Sequence, residues 1–172
     1  MRKYFRILFY ILFFVSIFNI SKTLRVNNNV KGRELPIYSV ETSKKQVALT
    51  FDSAWGNEDL SQILQILDTY HVKASFFMTG NFIAKYPDSV LQIQKAGHDL
   101  ANHSENHKNM SQLSKEDCQS EILETHKRIF DLTNISMNLI RPPYGDYDNT
   151  VIEAATATGY YSIQWSVDTL VI

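Results

Sequence analysis

The chain has 172 residues, of which 44% are apolar and 12% aromatic, with four Pro and a formal net charge of -1. That composition excludes a disordered polymer and suits one hydrophobic core. The charge is unevenly spread: the first 45 residues carry nine Lys or Arg against two Asp or Glu, and the remainder eight against sixteen. Such an acidic body is a poor partner for a nucleic-acid backbone. The lone Cys118 excludes an intrachain disulfide framework and a cysteine-based zinc cluster.

Arg2, Lys3 and Arg6 precede Ile7 to Phe18, an apolar run broken only by Ser16. A run apolar on every face does not fit an amphipathic surface helix, and the basic-then-apolar order is that of an export signal. Asn19, Ile20 and Ser21 offer no small-x-small cleavage site. Residues 1–21 therefore read as an uncleaved signal anchor, a removed signal peptide being the alternative. The body is expected outside the cytoplasm, on a single membrane span or secreted. Residues 22–43 read as a polar linker in which Pro36 opens a short extended segment, Ile37 to Val40. The folded domain is expected over residues 44–172.

In that domain Val47 to Phe51 reads as a buried parallel strand, followed by a helix with Asn57 as cap and Leu60, Ile63, Leu64 and Leu67 as its apolar stripe. Ala74 to Met78 is the next strand, with Gly80 and Asn81 as a turn. Pro87 opens a helix that Gly97 ends. His98 to Ala101 forms a short strand, and Ser114 with Asp117 caps a long helix carrying Ile122, His126, Ile129 and Phe130. Leu139 to Arg141 is a weak strand, Thr150 to Thr158 a helix stopped by Gly159, and Tyr160 to Val167 a final strand. Short strands alternating with helices predict an α/β fold with a parallel sheet. Polar residues follow successive strands at Asp52, His103, Arg141 and Asp168, the sheet edge on which βα folds build their sites.

Four segments can carry chemistry. His103 and His107, four residues apart, can present two imidazoles to one cation, or simply face solvent from a polar loop. Asp52 can bind a metal, deprotonate water, or accept backbone N–H groups of the turn that follows it. In Arg141-Pro-Pro-Tyr144, the prolines hold Arg141 for a carboxylate, and Tyr144 can line a sugar-sized pocket or offer its backbone N–H to developing negative charge; a rigid turn is the plain alternative. Trp165 can wall a groove and Asp168 can pair with Arg141, or they can be a core residue and a cap. His71, His98 and His126 fall within helix or strand patterns and are weaker candidates.

Taken in order, ALTFDSAWGNED, KASFFMTG, GHDLANHSENHKNMSQLS, RPPYGDYDNTVIEAA and YYSIQWSVDTL resemble the NodB-type polysaccharide deacetylases of carbohydrate esterase family 4, most of all the membrane-anchored sporulation-associated subgroup. The resemblance spans about Lys44 to Leu170. It implies a distorted or incomplete βα barrel behind an N-terminal membrane helix. It also implies a hydrolase acting on amide C–N bonds of N-acetylated cell-wall glycan, with peptidoglycan as the expected substrate and acetate as product. One divalent metal is implied, zinc first, with cobalt, manganese or nickel as alternatives. His103 and His107 match its ligands and Ser53 is the further candidate. Asp52 matches the base, Arg141 the residue orienting it, Tyr144 the oxyanion segment and Asp168 the acidic position of the fourth motif.

The sequence departs from that pattern in two ways. Ser53 stands where many members place a second Asp as third metal ligand, and no residue matches the histidine that protonates the leaving amine. The domain is accordingly read as truncated at its C-terminus. The competing expectations are a catalytically inactive glycan-binding or structural cell-envelope protein, and a non-folding remnant with open sheet edges.

Overall fold

The computed structural model describes residues 29–30 and 32–169. A small antiparallel pair, β1 (Asn29–Val30) with β2 (Arg33–Glu34), precedes a sheet of five parallel strands: β3 (Thr50–Ser53), β4 (Ser75–Met78), β5 (Asp99–Asn102), β6 (Leu139–Ile140) and β7 (Tyr161–Ser162). Helices α1 (Leu60–Thr69), α2 (Gly80–Lys85), α3 (Pro87–Lys95), α4 (Lys115–Thr133) and α5 (Asn149–Ala157) make the connections. The strands lie side by side in chain order. A doubly wound sheet would reverse that order part-way, so this is the connectivity of a βα barrel wall.

The register sorts side chains between the two sheet faces. Ser53 pairs with Met78, Met78 with Asn102, Asn102 with Ile140 and Ile140 with Ser162, so these residues form one level row. Side chains alternate between faces with period two. Phe76, Met78, Leu100 and Ile140 therefore share the face packed against the helices, where they join Val90, Ile93, Ile122, Ile129 and Val151 in one core. Each such side chain contributes about 1.5–3 kcal/mol by leaving water. Asp52, Phe77 and Ala101 form the next row, on the opposite face. His103 and Arg141, one residue beyond the ends of β5 and β6, return to that opposite face.

Local chemistry sets the helix ends. The Thr79 hydroxyl accepts the Phe82 N–H and so starts α2, making Gly80 the first residue of a helix where a turn was expected. Gly80 is required there, because a Cβ would fall 1.7 Å from a Glu105 carboxylate oxygen. That carboxylate is buried and held by Arg128 Nε at 2.7 Å and Thr125 Oγ1 at 3.2 Å. The expected cap of α4 is present, with Ser114 Oγ accepting the Asp117 N–H. Asn57 does not cap α1; its side chain donates to Ser89 Oγ instead.

Two strand expectations are displaced. Val47 is 95% exposed, and the ladder runs over Thr50–Ser53 because β4 offers partners only from Ser75 to Met78. The last strand shrinks to Tyr161–Ser162 because β6 is two residues long, after which Ile163 bridges in parallel to Ile37. Part of the stretch read as a linker is docked: Asn149 accepts the Glu34 N–H and donates to the Gly32 carbonyl. Among the described residues no helix is long and apolar enough to cross a membrane. The expected membrane helix lies outside the described residues. Gly80→Ala should lower stability by about 1–3 kcal/mol through overpacking against Glu105, measured by urea unfolding at unchanged slope.

Candidate functional site

Parallel strands deliver their carboxyl ends to one edge, and there Asp52, His103 and Arg141 meet. Arg141 Nη1 donates to Asp52 Oδ1 at 2.6 Å, closing a contact between residues 89 positions apart. The Arg141 side chain is 4% exposed and that of Asp52 36%, so the pair is buried on the guanidinium side and open on the carboxylate side. The guanidinium lies 4.1 Å from the Phe77 ring centre and 5.6 Å from that of Trp165. A flat, weakly hydrated cation suits such a slot between rings.

His103 is buried and its Nδ1 lies 2.7 Å from the Arg141 carbonyl oxygen, which can only accept. Nδ1 therefore carries the proton, and unprotonated Nε2 faces Asp52 Oδ2 at 3.9 Å. Burial lowers the His103 pKa from 6.5 to about 4, the nearby Asp52 charge offsetting only part of that effect. Burial also lowers the pKa of His107. The two imidazole centres are 5.0 Å apart, and His107 Nδ1 is buried without a hydrogen-bond partner.

Three side chains fix the histidine loop. Asn102 accepts the Ser104 N–H and donates to the Ile122 carbonyl, while Ser104 Oγ accepts the His107 N–H. Glu121 accepts both the backbone and side-chain N–H of Asn106 and pairs with Lys108 at 2.8 Å. Burial opposes the Glu121 charge, but these bonds prevail and hold its pKa below the ordinary range. The loop of residues 142–146 is tied to the same region by Asp146, which accepts the Ser111 N–H and hydroxyl. Ser104, His107 and Tyr144 all take left-handed backbone with φ of 65, 57 and 60°. Non-glycine residues in that region cluster at sites where the surroundings over-determine them.

The remaining predicted residues fall around this centre. Tyr144 is 63% exposed with its ring 4.6 Å from that of His107. Trp165 packs on Gly145, where a Cβ would sit 3.0 Å from the indole. Ser53 ends β3. Asp168 stands on the exposed segment after β7. Sequence reasoning missed Phe77, Asn102, Glu121 and Trp55, the last with its ring 5.2 Å from His107. Only strand alternation gave a usable signal, placing Phe77 on the face of Asp52.

The fit to a divalent metal fails on the donor set. A catalytic zinc takes three protein ligands and keeps one open position. Two imidazoles converge here, but one carboxylate oxygen of Asp52 is committed to Arg141, and Ser53 offers only a neutral hydroxyl, a weak donor. Among the described residues no group of three His, Cys, Asp or Glu could hold a metal ion.

A parallel βα wall with an acid, two histidines and an arginine at its carboxyl edge defines an α/β protein of the carbohydrate-esterase type. The family profile described as polysaccharide deacetylase matches residues 39–163. The chain belongs to the polysaccharide deacetylase family. It is 34% identical over 133 residues to a peptidoglycan-N-acetylglucosamine deacetylase of Bacillus cereus, covering 77% of this chain and 48% of that protein. The solved structure of wild-type BA3943 from Bacillus anthracis, a CE4 family pseudoenzyme, superposes with a TM-score of 0.76 at 35% identity, covering 79% of this chain and 48% of that one. A BA3943 mutant with restored enzymatic activity superposes with a TM-score of 0.76 at 37% identity, covering 79% of this chain and 50% of that one. The chain spans about half the length of the curated relatives it matches.

These findings correct the functional expectation. The family assignment and the α/β fold stand, but metal-dependent N-deacetylation, a hydrolase activity and a bound zinc, cobalt, manganese or nickel ion do not. The donors converge as a pair and not as a triad, and the structural relatives include pseudoenzymes with the same fold.

The geometry generates two predictions. Asp52→Asn leaves a buried guanidinium with a neutral partner and should cost about 2–4 kcal/mol in urea unfolding. The folded His103 pKa of about 4 lies below the ordinary 6.5, so the unfolded chain binds the proton first. Its contribution is complete above about pH 6.5 and is lost as pH falls toward about 4, a decline of at most about 3 kcal/mol. Denaturation midpoints measured across that window should fall more steeply for the wild type than for His103→Asn.

Proposed function

We propose that this chain is a catalytically inactive, glycan-binding member of its family that recognises N-acetylated cell-wall glycan at the cell envelope. The observation that carries the reading is the donor set: two imidazoles converge beside an aspartate held by Arg141, with a serine next to it. Such a site keeps the shape of a sugar-binding cleft edge without the charge needed to grip a hydrolytic metal. The N-acetylglucosamine deacetylases among the relatives support the ligand class. Exposed Tyr144 and the Trp165 wall supply rings suited to a sugar. The basic and apolar leader, Arg2 to Phe18, supports a position outside the cytoplasm with residues 1–21 as anchor.

The test is co-sedimentation of the full chain with insoluble peptidoglycan, alongside an acetate-release assay with and without added zinc. Retention on the glycan without acetate above the protein-free control is expected. Zinc-stimulated acetate release that disappears in Asp52→Asn would refute the reading. Ser53→Asp supplies the carboxylate that many family members carry at this position and should tighten zinc binding at least about tenfold over the wild type in calorimetry.

A further inference from the structure

Trp55 follows Asp52 by three residues and is 73% exposed, an unusual place for one of the two tryptophans of the chain. Large aromatic side chains carry much of the energy of burial, and leaving one in water has no packing rationale. Trp55 does not stand alone. Its ring lies edge-on to His107 with centroids 5.2 Å apart and planes at 64°, and His107 lies edge-on to Tyr144 at 4.6 Å and 72°. Three elements thus bring their rings into one row: the loop after β3, the loop after β5 and the loop after β6. The outer rings of the row are the exposed ones, and the central imidazole holds a buried nitrogen without a partner.

Two of the three positions keep left-handed backbone, His107 and Tyr144, although neither is glycine. Asp146 and Glu121 hold the loops that carry them. The row is therefore built before any ligand arrives, which reduces the ordering cost of binding.

We propose that Trp55, together with Tyr144 across His107, forms a stacking platform for one N-acetylhexosamine ring of a glycan, with Trp55 the principal contact. This deepens the glycan-binding reading and rests on it. A pyranose presents an apolar face of C–H bonds and a polar rim of hydroxyls and acetamide. An exposed indole matches the first by burying apolar area against its electron-rich face. The open side of Asp52, at the same sheet edge, matches the second. A metal plays no part in this recognition, so it operates with the donor set the chain has.

The experiment is isothermal titration of the full-length protein with the N-acetylglucosamine tetramer chitotetraose, for the wild type, Trp55→Ala and Trp55→Phe, with tryptophan emission followed in parallel. Trp55→Ala should weaken Kd roughly fivefold to tenfold, while Trp55→Phe stays within about twofold of the wild type. A ligand-induced change in emission should be present in the wild type and much reduced in Trp55→Ala. Because Trp55 is exposed, all three chains should melt at similar temperatures, which separates lost binding from lost folding. A Trp55→Ala chain that binds the tetramer as tightly as the wild type would overturn the platform and leave the glycan reading intact. A wild-type chain with no affinity for the tetramer or for peptidoglycan would overturn both.

Discussion

The contact between Arg141 and Asp52 organises this end of the molecule. It joins the carboxyl ends of β3 and β6, two strands with β4 and β5 between them, through one 2.6 Å hydrogen bond between charged groups. Arg141 is 4% exposed and lies over the rings of Phe77 and Trp165, so its charge has no ready recourse to water. A buried cation without a partner is far more costly than one that is paired. The pair therefore constrains the relative height of the strands, and the backbone carbonyl of the same arginine fixes the tautomer of His103.

That constraint has a chemical consequence. A carboxylate serving a metal must lend an oxygen to it, and a carboxylate serving a buried guanidinium has already lent one. With a second carboxylate next in sequence the two duties could be divided. Ser53 brings no charge, so the histidines form a neutral pair beside an acid that has one oxygen on Arg141 and the other 3.9 Å from His103 Nε2. Burial keeps both imidazoles neutral, which removes charge repulsion from the cleft and leaves a surface of rings and hydrogen-bonding groups.

The two faces of the sheet do different work. The helix-facing side chains Phe76, Met78, Leu100 and Ile140 belong to the hydrophobic core. The opposite row of Asp52, Phe77 and Ala101, continued by His103 and Arg141, contributes the site. Altering a side chain at the end of the second row leaves the first undisturbed. Ser53 lies at the meeting point: its carbonyl accepts the Thr79 N–H and keeps the ladder, while its hydroxyl replaces a charge.

From sequence alone, the alternation of strands and helices, the capping of α4 by Ser114, the ends marked by Gly97 and Gly159 and the family likeness were all legible, because periodicity, turn chemistry and ordered motifs are local properties. Ser53 was legible too, as a missing charge. Strand lengths were not, since a strand extends only as far as its neighbour offers hydrogen-bond partners, and the short β6 cuts β7 to two residues. Nor was the need for glycine at the start of α2, where room for a buried Glu105 excludes a Cβ. That Arg141 would bond Asp52, and that Trp55 would stand beside His107, depend on residues brought together from distant positions. Such contacts have no local signature: they are properties of the sheet register, which places each side chain on one face or the other.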